Sequence, residues 1–430
     1  MATIKVKDNN PVGVIQELLG SMLERQLVSA VLVPQEIPSG KSVVQTLVRD
    51  HAKLETANPL APVFAVNSAR IVAQMCVDQM TKAPSAWDEA EPEQEQTEQA
   101  ETPSAEDDTP DDQAEQDAQT AGEEQTAAET PPTAEVEASA TEQEQKAGPI
   151  ALVLRPCETR ALIELVKLQQ AVLEPFLVVG VDCWGAYSVL DYAAKAGEGA
   201  ENSSVTAEFL KQVTAGNLPD NLCGACQVCQ YPAPTYADIA IRLIGEDISQ
   251  QISVDACTDL GKDVFDTLGL EVTPQSDRRE KALEELKEQK KKLTGQDQAE
   301  LLETISSLCV NCKNCRAVCP ICYCKQCVFD GNVFKYPLEK YLTWSGKKGV
   351  LTMPPDKLLF HLTRMSHVAT SCVACGRCES ACPNGIPLGR IYQKISTAAQ
   401  ETLSYVAGRS LDEDLPLTTF RENELSVVEN

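Results

Sequence analysis

Apolar residues recur along this 430-residue chain in two periods, one helical and one strand-like. In residues 12–27 they fall at Val14, Leu18, Leu19 and Met22, which predicts a helix with one buried face. Residues 29–34 form an apolar run of strand length stopped by Pro34; 43–48 is strand-like, 64–66 is a short apolar run, and 68–80 predicts a second helix. Cys76 lies on that helix among Val72, Ala73 and Met75, where a free cysteine acts as a small packed hydrophobe. The pattern resumes at Gly148. Residues 150–154 predict a strand, 155–160 a turn into a helix bearing Ala161, Leu162, Leu165, Val166 and Leu168, and 176–181 the next strand. A strand–helix–strand unit of this length suits a parallel crossover. It places Cys157 and Cys183 at one C-terminal sheet edge, where open α/β sheets carry their sites.

Farther on, 236–244 reads as an apolar helix and 252–254 as a strand leading to Cys257. Residues 277–293 put Leu283, Leu286 and Leu293 on one stripe of a charged, solvated helix, with Lys287–Lys292 as its wet face. Residues 343–348 read as an exposed loop, 354–365 and 387–403 as helices, and 409–430 as a mobile acidic tail. The cysteine motif that occurs twice between Cys309 and Cys382 has the bacterial ferredoxin spacing, so the expected architecture is an α/β domain with an appended bacterial-ferredoxin-like two-cluster module and a long disordered acidic insertion. Its parts are 1–83 and 149–276 for the α/β domain, 84–148 for the insertion, 277–300 for a charged helical connector, 301–405 for the cluster module and 406–430 for the tail.

Charge changes this picture in one place. The net charge is −27, and residues 88–147 carry twenty-one acidic residues against Lys146 alone, which leaves −7 for the rest. That low-complexity segment lacks the apolar surface to offset its chain entropy, so it predicts disorder, with an arm for a basic partner as the functional alternative. The acidity argues against nucleic acid, which needs a basic footprint. No run of eighteen apolar residues is present, so no membrane span is expected, and residues 1–10 do not resemble a secretory signal. Eighteen cysteines in such a chain point to metal ligation in a reducing compartment, taken as the cytoplasm.

Eleven of those cysteines lie between Cys309 and Cys382, and one motif occurs there twice. Cys309, Cys312, Cys315 and Cys319-Pro320 form the first copy; Cys372, Cys375, Cys378 and Cys382-Pro383 form the second. Three thiolates on a tight loop can wrap one 4Fe-4S cubane, and the fourth usually ligates the other cluster. The spacing therefore groups Cys309, Cys312 and Cys315 with Cys382, and Cys372, Cys375 and Cys378 with Cys319. Zinc knuckles are the alternative, but they do not require a Cys-Pro three residues on.

Cys223, Cys226 and Cys229 could cap a third cluster or hold zinc, with Cys183, then Cys157 or Cys257, as the fourth ligand. Cys322, Cys324 and Cys327 could bind a fourth cluster with Cys157 or Cys257, or hold zinc. A catalytic thiol at Cys157 or Cys257 lacks a nearby histidine in sequence.

Several stretches resemble the beta subunits of coenzyme-F420-reducing hydrogenases and related formate dehydrogenases. They are Arg155-Pro156-Cys157-Glu158, the strand ending Val181-Asp182-Cys183, Cys226-x-x-Cys229-x-Tyr231 followed by Ala237-Asp238-Ile239, and the run from Cys309 to Cys327. The resemblance implies a flavin-bearing (FAD) α/β domain wired by clusters to a catalytic subunit of formate dehydrogenase, hydrogenase or heterodisulfide-reductase type. It implies a deazaflavin, nicotinamide or ferredoxin carrier, and Cys183, Cys226, Cys229 and Cys223 as cluster ligands. Tyr231-Pro232 departs from the family's acidic–aromatic pair. A pure relay without a substrate site and a zinc-stapled interaction protein are the competing readings.

Overall fold

A computed structural model describes residues 2–80, 148–197, 202–270, 278–292, 301–350, 356–416 and 418–419. The chain divides into two compact units, residues 1–82 with 147–430 and residues 83–146, and every described residue belongs to the first. The acidic segment, apart from Gly148, and the last eleven residues of the expected tail lie outside the described residues.

Among the described residues, β1 (Ala2–Lys5), β2 (Ala30–Glu36), β3 (Val43–Val48), β4 (Ile150–Leu154), β5 (Phe176–Val181), β6 (Ile239–Arg242) and β7 (Gln251–Ala256) form one sheet in the order β1-β7-β6-β5-β4-β2-β3. The neighbours β2, β4, β5 and β6 are parallel; β1, β7 and β3 join antiparallel. Alternate residues feed two apolar layers. Ala151, Val153, Leu177 and Val179 pack with Ile15, Leu19 and Met22, whereas Leu152, Leu154, Phe176 and Val178 pack with Val72, Cys76 and Leu162. Both faces are thus covered, as a largely parallel sheet requires.

Helices α1 (Pro11–Glu24), α2 (Ser68–Met80) and α3 (Pro156–Lys167) supply much of those layers. Asn10 caps α1 by accepting from Gly13 N at 3.0 Å. Glu158 ties the starts of two helices together, accepting from Arg155 N at 2.9 Å and Ser68 N at 2.8 Å. Helices α4 (Val189–Gly197), α5 (Asn202–Thr214), α6 (Gly224–Gln227) and α7 (Asp259–Leu268) follow, then α8 (Arg278–Lys291).

Four expectations change. Residues 239–242 are strand β6 rather than helix: Val179 pairs with Ile239 on one side and Ala256 pairs with it on the other. A four-residue buried run has no period that separates helix from strand, and the lattice of neighbours decides. Helix α8 is not a purely solvated connector. Arg279, Leu286 and Lys290 are buried, and Arg279 donates to both carboxylate oxygens of Asp182 at 2.6 and 2.9 Å. The expected loop at 343–348 is the end of a helix, Leu338–Lys348. The tail is anchored at its start: Tyr405 Oη and Gly408 N donate to Glu164 at 2.5 and 2.7 Å, Arg160 Nε donates to Ala407 O at 2.9 Å, and Leu415 is buried.

The cysteine-rich part is helical. It comprises α9 (Leu301–Leu308), α10 (Asn314–Ala317), α11 (Leu338–Lys348), α12 (Asp356–Val368), α13 (Arg377–Ser380) and α14 (Leu388–Thr402). A small core of Ile305, Ile321, Phe329, Phe360, Ile386 and Ile391 holds it, with Cys309, Cys319, Cys372, Cys378 and Cys382 packed against that core.

Candidate iron–sulfur centres

The two cysteine loops repeat one backbone design. Asn311 and Lys313 in the first, and Ala374 and Gly376 in the second, have left-handed φ of 56°, 60°, 54° and 74°. These residues flank the second cysteine of each copy, so each loop curls back on itself, and Asn311 N donates to Cys309 Sγ at 3.3 Å. Three of those four residues are not glycine, an uncommon conformation for side-chain-bearing residues. A short helix, α10 or α13, then presents Cys315 or Cys378.

Tertiary packing exchanges the fourth cysteines. One cavity is lined by Cys309, Cys312, Cys315 and Cys382, closed by Phe360, His361 and Leu388 (set A). His361 Nε2 lies 3.5 Å from Cys309 Sγ. Cys372, Cys375 and Cys378 instead have Cys319 as their close electrostatic neighbour (set B). Burial, before any other cause, pushes the Cys315 thiol up to about 11 and Cys375 up to about 12.

A third group forms at the C-terminal edge of the sheet. Cys183 follows β5 and Cys157 opens α3 after β4. The loop at 222–232 is zipped onto the same edge: Cys223 N donates to Ala186 O at 2.8 Å and Cys183 N to Pro232 O at 2.9 Å. Cys157 thereby neighbours Cys183, Cys226 and Cys375, and Cys183 neighbours Cys226 and Cys229. Cys223 and Cys226 are close neighbours, and Cys223 Sγ also lies 3.9 Å from Ser380 Oγ. These five thiols are set C, and Cys157 joins them to set B through Cys375. Burial, opposed by Arg155 and Lys290, pushes Cys183 up to about 11.

The other cysteines divide. Cys257 sits beside Arg242, Asp255 and Asp238, away from set C. Cys322 neighbours Cys319, Arg364 and Cys324, while Cys327 pairs with Arg316. The structure therefore does not bring Cys322, Cys324 and Cys327 to Cys157 or Cys257. Cys76 is buried in the α2 layer.

The donor sets suit a thiolate-ligated cluster. Set A rings a cavity with four thiols. Among the described residues, no three cysteine, histidine or carboxylate side chains converge at single-ion distance. Two buried guanidinium nitrogens beside these sets, Arg364 Nε and Arg377 Nε, have no acceptor within the protein. Sequence reasoning missed both, along with Lys290, which lies in the block read as a wet face but is buried and donates to Trp184 O at 2.8 Å. Only the breaks in charge pattern at Arg364 and Arg377, cations among apolar or cysteine neighbours, pointed to them.

A flavin fits less well. One cleft of about 790 Å³ has Glu36, Glu55, Glu208 and Asp247 on its walls against Lys211. Four carboxylates oppose a diphosphate, so these walls do not suit a flavin.

Residues 305–386 match the family model of a 4Fe-4S dicluster domain. Over 305 residues the chain is 28% identical to the F420-dependent formate dehydrogenase subunit beta of Methanocaldococcus jannaschii, covering 62% of this chain and 75% of that protein. It is 28% identical over 306 residues to F420-dependent formate dehydrogenase 1 subunit beta of Methanococcus maripaludis, covering 62% and 74%. A chain of the F420-reducing [NiFe] hydrogenase complex from Methanosarcina barkeri aligns over 72% of this chain and 93% of its own, at 10% identity and a TM-score of 0.39.

Proposed function

We propose that this chain is the iron–sulfur electron-transfer subunit of an oxidoreductase complex, with 4Fe-4S clusters in sets A, B and C. The observation that carries the reading is the succession of thiol sets, A sharing the dicluster module with B, and B neighbouring C where Cys375 lies near Cys157. When bound, such clusters carry electrons one at a time. The chain's own residues hold them, bury them and set the charge around them.

The relatives are named as beta subunits of formate dehydrogenases, which supports a catalytic partner subunit of that type. The surface beside set A supports a partner as well. Val333 and Leu338 are 80% and 72% exposed, Leu342 is also exposed, and α11 buries none of its residues. Lys313, Lys325, Lys335, Lys340, Lys347 and Lys348 surround them in sequence, against Asp330 and Glu339. An apolar surface with a basic rim suits an acidic protein face. Among the described residues no helix is long and apolar enough to cross a membrane. The cysteine content fits a reducing compartment such as the cytoplasm. If the subunit turns over a deazaflavin, nicotinamide or other two-electron carrier, it needs a flavin, because clusters alone do not split a hydride.

The test is EPR of dithionite-reduced protein prepared without oxygen. Cys382→Ser should perturb the same signal as Cys309→Ser, and Cys319→Ser the same signal as Cys372→Ser. Pairing within each motif instead, or a protein with no reducible signal, would overturn the assignment. Flavin released by denaturation would make the chain a carrier-reducing subunit; its absence from a cluster-replete protein makes it a pure relay.

A further inference from the structure

Two buried arginines stand where the cysteine sets meet. Arg364, on α12, is 3% exposed. Its Nη1 donates to the Tyr392 hydroxyl at 3.1 Å, and its guanidinium lies 4.6 Å from the centre of that ring. Cys315 of set A and Cys319 and Cys378 of set B are its charged-state neighbours. Arg377, which opens α13, is 5% exposed and donates to Phe64 O and Ala65 O. Its neighbours are Cys375 and Cys378 of set B and Cys223 and Cys157 of set C. Each keeps one buried nitrogen, Nε, without an acceptor in the protein.

These side chains do not lose their charge, because a guanidinium stays protonated in proteins. In the described residues, the groups that meet them are thiols (Cys322 among those at Arg364), carbonyls, a tyrosine hydroxyl, the His361 imidazole and the Phe64 ring, with no carboxylate among them. An uncompensated buried cation costs several kcal/mol, so the compensating negative charge must come from thiolates and what they bind. Each Nε–H is a free donor for that purpose, and hydrogen bonds to cluster sulfurs are one of the levers on potential.

We propose that Arg364 and Arg377 tune the two junctions of the relay, Arg364 raising the reduction potentials at sets A and B together and Arg377 those at sets B and C. The inference rests on the reading that these sets hold clusters. One site gains an electron as its neighbour loses one, with no bond made or broken and the arginine still protonated. A fixed positive charge in a low-dielectric interior favours the more negative, reduced state on either side of it. Lying between two sites, it also screens the repulsion between them when both are reduced. Set B, the middle site, is the one that feels both arginines.

Potentiometric titrations followed by EPR, with iron measured on the same samples, test this in full-length protein. Arg364→Gln is expected to lower the midpoints of two signals and Arg377→Gln those of two, with one signal common to both. The common signal should be the one perturbed by Cys372→Ser. Each shift should reach about tenfold in the reduction equilibrium, about 59 mV for one electron. Arg364→Lys and Arg377→Lys, which keep the charge, should return most of it. Cluster-loaded glutamine variants with unmoved midpoints, or with all three signals moved alike, would overturn the inference. Where a glutamine variant loses iron, the lysine variant decides: a midpoint near wild type supports the role of charge, and one far below it overturns that role. Iron absent from the wild-type protein would overturn the underlying reading instead.

Discussion

Asp182 and Arg279 show how much one residue pair can organise here. Asp182 directly follows β5, and its carboxylate accepts from Leu243 N and Ile244 N at 2.9 and 3.1 Å as well as from Arg279. Both oxygens of a buried anion are thus hydrogen-bonded, and the next residue, Cys183, is held in place. Removing the cation leaves that carboxylate buried and unpaired, which costs about 3–5 kcal/mol. Arg279→Met should therefore lower the urea midpoint by that much stability, followed by circular dichroism. A change below about 1 kcal/mol would show that the pair is solvated. The grouping of the cysteines at this scale was legible because their spacing is local. Arg279, Lys290, Arg364 and Arg377 were not, because each acquires its role only when distant segments close around it. Lys290 is the clearest case: its neighbours in sequence are charged, and its neighbours in space are Trp184 and the thiols of Cys183 and Cys226.

At the scale of elements, the twin loops carry the design, and Gly376 shows its tolerance. Its φ is +74°, and a Cβ there would stand 2.4 Å from the Cβ of Ala225 on α6. The second loop therefore packs directly on the helix between Cys223 and Cys226. Gly376→Ala should cost about 1–3 kcal/mol in backbone strain and weaken cluster retention at set C more than at set A. Iron loss and EPR intensity after mild chelation measure this; equal loss at both sets would contradict it. The parallel strands β4 and β5 were readable as continuous apolar runs of strand length, and the helices α1 and α3 from apolar residues repeated at helical spacing. Strand β6 was not, because Ile239–Arg242 is too short to show a period and is fixed by its partners β5 and β7. Helix α11 was missed for the opposite reason. It buries nothing, and Tyr336, Tyr341 and Trp344 pack on one another at 5.4–6.2 Å rather than on the core.

At the scale of the molecule, the sheet and the cluster module are bound by buried polar contacts. Arg160 reaches Val373 O at 3.2 Å and Ala407 O at 2.9 Å, and Arg377 reaches the backbone at Phe64 and Ala65. The C-terminal edge of the sheet, which brings Cys157 and Cys183 together, thus faces the dicluster loops, and three thiol sets fall in sequence. The exchange of Cys319 and Cys382 was readable from the doubled motif; the contact between sets B and C was not, since it depends on how two separately patterned regions dock. Whether these sets hold clusters is tested by the iron, acid-labile sulfide and zinc content of protein purified without oxygen. About twelve irons with matching sulfide are expected, four for each of three clusters. Little iron and several zincs, from an iron-replete preparation, would contradict that expectation.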